Sequence, residues 1–151
     1  MFPKRISGRN VRIKPDRTKV VDVNGRMDYI NIIDVKSRKV LSVIESNTPR
    51  FDEVGKMEMY ATLKDGAIDV DVTDKYILTL YDGRTMNDVY NRKQKWASLR
   101  LYDWEGNFIK AAQLPKIGVD YMAYDENSRT VYFIDRQIEK FYRCDLSEFM
   151  K

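Results

Sequence analysis

The chain has 151 residues, of which 43% are hydrophobic and 33% are charged, and its formal net charge is +4. This length supports one domain with its own core, and the composition is neither that of a disordered chain nor that of a membrane protein. No apolar run approaches the roughly 20 residues of a spanning helix, and no apolar segment follows the basic N-terminal residues as it does in a secretory signal. We therefore expect a single domain over residues 1–151 without a membrane span.

Two residue counts restrict the chemistry of the chain. It contains a single cysteine, Cys144, and no histidine. An internal disulfide is excluded, and neither a Ser-His-Asp nor a Cys-His nucleophile can be assembled. The common Cys/His zinc sites are excluded for the same reason. We expect no specific metal and no organic cofactor.

Positive charge is concentrated at the N-terminus. Residues 1–19 contain seven Lys and Arg against one acidic residue, Asp16. A basic arm is able to bind nucleic acid or another anionic surface, but no nucleic-acid-binding motif accompanies this charge. A solvated segment around the first strand is the preferred interpretation, and no nucleic acid partner is expected.

Residues 9–44 form the first of three similar units. Apolar residues in Val11–Ile13 and Lys19–Val23 flank a turn at Pro15 and Asp16, which predicts a hairpin. A second hairpin is predicted from Tyr29–Asp34 and Val40–Ile44.

Residues 67–114 form the second unit and contain four strand signals. In the first strand, Ile68, Val70 and Val72 alternate with Asp69 and Asp71, so that one face is apolar and the other is charged. The remaining strands are predicted at Tyr76–Tyr81, Ala97–Tyr102 and Phe108–Leu114, with a long polar loop over 83–95.

Residues 119–151 form the third unit, with strands predicted at Tyr121–Asp125, Thr130–Ile134 and Lys140–Asp145, followed by an apolar stretch over Leu146–Met150. Units of about 40 to 50 residues with four short antiparallel strands are typical of β-propeller blades. A sandwich also has alternating strands, but it gives no reason for one turn pattern to recur. The predicted fold is all-β and propeller-like, with about three four-stranded antiparallel blades at 9–44, 67–114 and 119–151.

The motifs of the second and third units resemble those of the TolB-like six-bladed β-propeller family of bacterial proteins. The resemblance rests on a strand pair over Asp74–Arg84, on the turn Asp103-Trp104-Glu105-Gly106, and on Tyr124-Asp125-Glu126 followed by Val131-Tyr132. It covers residues 60–151 well and 11–44 loosely. These motifs specify blades and carry no information about chemistry.

The resemblance implies that this chain corresponds to the last three of six blades. Members of the family usually carry an export or lipoprotein signal ahead of the blades, so the resemblance implies a periplasmic or cell-envelope location, although this chain shows no such signal. An arc of three blades has uncovered faces and edges. We expect two chains to cover them as a homodimer, or the segment 4–13 to add a strand to the last unit.

Carboxylates are the main candidates for chemistry. Asp65, Asp69, Asp71 and Asp74 cluster at the start of the second unit, but their spacing does not match an EF-hand. Asp69 and Asp71 share one strand face and suggest a carboxylate-based hydrolase, either glycosidase-like or metal-assisted. A solvent-facing row, or one paired between strands, is the preferred interpretation.

The aromatic residues offer a second set of candidates. Most are expected to fill the space between neighbouring sheets. Trp96 differs because it follows a basic run in the long loop, where an aromatic ring beside cations suits a contact site. An equally weighted alternative is that Trp96 simply anchors the loop. The predicted binding residues are therefore Arg92, Lys93, Lys95 and Trp96. The leading interpretation is a non-catalytic binding or scaffold module for a protein or small ligand, and the alternative is the hydrolase.

Overall fold

A computed structural model of the protein describes residues 9–25, 29–44, 64–91, 97–114, 119–135 and 138–151. These residues form eleven strands and one five-residue helix, so the fold is all-β as expected. The first sheet has the strand order β1 (Arg9–Ile13), β2 (Lys19–Asn24), β3 (Tyr29–Asp34) and β4 (Val40–Ile44). Each strand pairs antiparallel with the one that precedes it in sequence.

The second sheet has the order β5 (Ala67–Val72), β6 (Tyr76–Tyr81), β7 (Ser98–Asp103) and β8 (Phe108–Gln113), all antiparallel. The predicted long polar loop between β6 and β7 contains a short helix, α1 (Met86–Tyr90). The Thr85 hydroxyl accepts the Asp88 backbone N–H at 3.0 Å, and the Asp88 carboxylate accepts the Thr85 N–H at 3.0 Å. This reciprocal capping box starts the helix, and its sequence signal is Thr85-Met86-Asn87-Asp88.

The third sheet contains three described strands, β9 (Tyr121–Asp125), β10 (Thr130–Asp135) and β11 (Lys140–Asp145), in the order β11-β10-β9. The described residues of this sheet therefore form three strands rather than the predicted four. Leu146 to Met150 forms a turn, in which the Met150 N–H donates to the Leu146 carbonyl at 2.8 Å. Leu146 is buried in the core, so its apolar character reflects packing rather than a fourth strand.

Residues 9–13 also correct a prediction. They form β1, which pairs with β2 in the first sheet rather than with the third sheet. The preceding residues 4–8 lie outside the described part of the chain.

The sheets contact one another through two apolar layers. Val21, Val23, Ile30 and Ile32 of the first sheet pack against Val70, Ile77 and Tyr102 of the second. The opposite face of the second sheet packs on the third, through Leu78, Leu80, Leu99 and Leu101 against Met122, Val131 and Phe133. Strand β1 lies beside β5 and β5 beside β9, so the first strands of the three sheets are neighbours. In the described ranges, no helix is long and apolar enough to span a membrane.

Candidate functional site

The four predicted binding residues, Arg92, Lys93, Lys95 and Trp96, lie outside the described residues. The loop that contains them begins at the end of β6, where Asp82 is buried and accepts a hydrogen bond from the Arg84 Nε–H at 2.7 Å. This hydrogen bond raises the pKa of Arg84, and the charges of Asp65 and Asp120 act in the same direction. An ion pair between the buried Asp82 and the partly exposed Arg84 therefore anchors the start of this loop, beside the residues that lead into β5 and β9.

Asp69 lies on β5 and is 3% exposed. Its carboxylate accepts the backbone N–H of Met122 on β9 at 2.9 Å and that of Val70 at 2.9 Å. The Arg12 guanidinium lies 3.6 Å from the same carboxylate. Burial nevertheless raises the pKa of Asp69, because desolvation outweighs the two hydrogen bonds and the nearby positive charge.

Asp71 repeats this arrangement one pleat further along β5. It accepts the Tyr124 N–H of β9 at 2.8 Å and the Val72 N–H at 2.9 Å. The sequence left open whether Asp69 and Asp71 face solvent or pair between strands, and the structure shows that they are paired. Their partner is the backbone of β9, a strand of the neighbouring sheet. The two carboxylates join β5 to β9, and this role accounts for the alternation of acidic and apolar residues in β5.

Asn10 performs a comparable role at the other junction, because its side-chain amide donates to the Ile68 carbonyl of β5 at 2.6 Å. Asn10 was not predicted from the sequence to have this role. No local signal marks it, since an asparagine in a strand is recognised as a bridge only when the neighbouring sheet is known.

Other aspartates close the turns. Asp16 accepts the Thr18 N–H at 2.9 Å, and its hydrogen bonds with Lys14 and Thr18 lower its pKa to about 2. Asp103 accepts the N–H groups of Glu105 and Asn107 at 3.0 and 2.8 Å. These are Asx-type turns, so Asp16 and Asp103 have a structural role in the chain.

The predicted packing role of the aromatic residues is correct for some and wrong for others. Tyr102, Trp104 and Phe133 are buried, and the Trp104 indole N–H donates to the Thr73 carbonyl at 3.0 Å. In contrast, Tyr132 is 45% exposed and Phe141 is 77% exposed.

The exposed aromatic residues share one face of the third sheet. Tyr121 and Phe141 are the register partners of Ile134 on either side of it, and all three side chains point away from the second sheet. Tyr132 lies on the same face, two residues before Ile134 on β10. The third sheet therefore carries a set of exposed aromatic side chains on one face.

The N-terminal basic residues are partly neutralised by the protein itself. Lys14 forms an ion pair with Asp16, and Lys19 lies 3.1 Å from Glu105 while donating to the Trp104 carbonyl at 2.7 Å. These contacts favour the interpretation of a solvated strand segment. Across the described part of the chain, no three acidic or sulfur-bearing side chains are grouped so that they would hold a metal ion.

Comparison with known proteins gives similarities at the level of structure. No family model and no curated protein matches the chain. A functionally unknown protein from Desulfotomaculum acetoxidans has a similar structure, with 18% sequence identity and a TM-score of 0.47. The match covers 89% of this chain and 39% of that protein.

Proposed function

We propose that the protein is a non-catalytic binding module of β-propeller type, in which the three sheets stand as successive blades around a common axis. The adjacency of β1, β5 and β9 supports this arrangement, because the first strand of every blade lines the axis of a propeller. The TolB-like resemblance of the sequence agrees with it.

The exposed aromatic face of the third sheet carries the proposal. Phe141 on β11 is 77% exposed. The side chains of the neighbouring strand β10 that point to the opposite face of the sheet, such as Val131 and Phe133, are buried. An apolar sheet face of this kind is stabilised when a partner covers it.

The hydrolase alternative is less well supported. A catalytic carboxylate must reach a substrate atom, but each oxygen pair of Asp69 and Asp71 accepts two backbone N–H groups. Using either as a base or nucleophile would break the junction between the second and third sheets. A catalytic role for Asp69 or Asp71 would therefore conflict with its role in holding the two sheets together.

Site-specific photo-crosslinking tests the binding function. Benzoylphenylalanine is placed at Phe141, and at Ile109 on β8 as a control residue that is 42% exposed and outside this face. We expect an adduct of higher mass from position 141 in the cells that make the protein, with little or none from position 109. Equal, background-level cross-linking at both positions would contradict the proposal.

The hydrolase is tested separately with a panel of nitrophenyl glycosides and esters. Wild type and Asp71→Asn are expected to release nitrophenol at the same background rate. A rate that is above background and falls in Asp71→Asn would favour the enzyme.

A further inference from the structure

The strand registers show which side chains each sheet uses to contact its neighbour. In the β5–β6 hairpin the Thr73 N–H donates to the Tyr76 carbonyl, and in the β1–β2 hairpin the Lys14 N–H donates to the Lys19 carbonyl. When the two hairpins are aligned on these closing hydrogen bonds, Ile13 in the first sheet is equivalent to Val72 in the second. Val11 likewise occupies the position of Val70.

Val70 belongs to the face with which the second sheet packs on the first, and it is 0% exposed. The equivalent residues of the first sheet have no sheet on that side in the described structure. Val11 is 51% exposed and Ile13 is 59% exposed. The first sheet therefore presents, to solvent, the same kind of apolar face that the second sheet buries in a junction.

The third sheet exposes the other kind of face, the one that corresponds to the face with which the second sheet packs on the third. The pair Asp125 and Thr130 closes the β9–β10 hairpin, so Tyr132 matches Leu78 of the second sheet. By the same register Phe141, opposite Ile134, matches Leu99, opposite Leu80. Leu78 and Leu99 are 1% and 0% exposed because the third sheet covers them.

The two open faces are thus the two halves of the junction that the chain already makes twice. The open face of the third sheet corresponds to the face with which the second sheet packs on the third. The open face of the first sheet corresponds to the face with which the second sheet packs on the first. Asp22 lies on the same face of the first sheet as Val11, but it is 8% exposed and its Oδ1 is buried, so it offers no acceptor to a partner. The match between the two open faces is apolar, with Val11 and Ile13 on the first sheet and Tyr132 and Phe141 on the third.

We propose that a second copy of this chain covers these faces, the third sheet of each copy packing on the first sheet of the other. This inference rests on the propeller arrangement of the proposed function and names its binding partner. A twofold axis generates both contacts at once, because the contact of the third sheet with the first is repeated in reverse. Two arcs of three sheets then form one closed ring of six.

Sedimentation equilibrium with matched variants tests the proposal. Val11→Asp alters the open face of the first sheet, Tyr132→Asp alters that of the third, and Ile109→Asp is the control at an exposed position outside both. We expect twice the mass of one chain for wild type and for the control, and the mass of one chain for each of the other two variants. Circular dichroism is expected to show the same β content for all four.

Mixing the two monomeric variants gives the sharper result. The unmodified Tyr132 face of one variant still fits the unmodified Val11 face of the other, so one of the two junctions can form. The weight-average mass of the mixture is expected to exceed that of either variant alone at the same total concentration. This gain also shows that both variants are folded.

Several results would overturn the proposal. A wild-type chain that stays at the mass of one chain across a wide concentration range excludes a second copy. If it does so while the probe at position 141 cross-links a different protein, the proposed binding function stands and only the identity of the partner is wrong. A dimer that survives Val11→Asp but not Tyr132→Asp would mean that two third sheets pack on each other. Growth beyond the dimer would mean that the contact does not close.

Discussion

The carboxylate of Asp71 on β5 accepts the backbone N–H of Tyr124 on β9 at 2.8 Å, across the junction of the second and third sheets. An edge strand normally leaves its outward N–H groups to water or to another strand. Here aspartate side chains satisfy them, so the first strands of neighbouring sheets are joined without forming a continuous ladder.

Replacing Asp71 by asparagine tests this bridge. One of its two N–H partners, Tyr124 or Val72, loses its acceptor because the amide nitrogen cannot accept a hydrogen bond. We expect Asp71→Asn to lower the free energy of unfolding by about 1–3 kcal/mol. Urea denaturation measures this change. Asp74→Asn, in the exposed turn after β5, is the control and is expected to change it by less than about 0.5 kcal/mol.

Asp69 predicts a pH dependence that the turn aspartates do not share. Its pKa is raised in the folded state, so the folded chain binds more protons than the unfolded chain between the ordinary value of 3.8 and the raised one. Stability contributed by this group is therefore lost as the pH rises through that window. The difference in unfolding free energy between Asp69→Asn and wild type is therefore expected to shift in favour of the variant as the pH rises from 3.8 through the raised pKa.

Urea unfolding of wild type and Asp69→Asn at each pH provides the measurement. Asp16 serves as the comparison, because its pKa is lowered to about 2 and its contribution is instead lost as the pH falls from 3.8 towards that value. Asp16→Asn should therefore differ from wild type least at the acid end. Parallel curves for wild type and Asp69→Asn would show that the carboxyl is not perturbed by burial.

The ion pair of Arg84 with Asp82 predicts that truncation of Arg84 lowers the free energy of unfolding substantially. Asp82 is 7% exposed, so Arg84→Ala leaves a buried carboxylate without its cation. We expect about 3 kcal/mol of destabilisation, the lower end of the range for buried pairs because the arginine is partly exposed. The double variant Asp82→Asn/Arg84→Ala is expected to lose less than Arg84→Ala alone, as calorimetry can determine. An equal or greater loss in the double variant would place the arginine's contribution in packing.

Two turns predict opposite effects of glycine. Arg38, between β3 and β4, has φ 57°, where a side chain is strained, and it is exposed. Arg38→Gly is expected to stabilise the protein by about 1 kcal/mol. Gly106, between β7 and β8, has φ 84°, and an added Cβ would lie 2.7 Å from Cγ2 of Val43. Gly106→Ala is expected to destabilise it by about 1–3 kcal/mol. Thermal unfolding of both variants checks the signs.

The strands were predictable because their signals are local. Alternation in Ile68–Val72 and the aromatic and branched residues of Tyr76–Tyr81 favour extended backbone, and the aspartates mark the turns between strands. The predicted bounds of β4 and β6 agree with the structure. The helix α1 was missed because its signal, a capping box, is only four residues long and lies in an otherwise polar loop.

The candidate site was less predictable, because exposure depends on which sheet covers which face. Tyr132 and Tyr102 have similar strand contexts in the sequence, but one is 45% exposed and the other 1%. Asp69 and Asp71 resemble a catalytic pair until the N–H groups of Met122 and Tyr124 are placed beside them.

By itself, the sequence determined an all-β chain of repeated hairpins with aspartate turns, since periodicity and turn chemistry act over a few residues. Only the tertiary structure decided that β5 is joined to β9 by carboxylates, that residues 146–150 form a turn and that the third sheet leaves Phe141 exposed. The junction of β5 with β9 depends on contacts between residues about 50 positions apart, such as Asp69 with Met122, and no local pattern encodes the position of a neighbouring sheet.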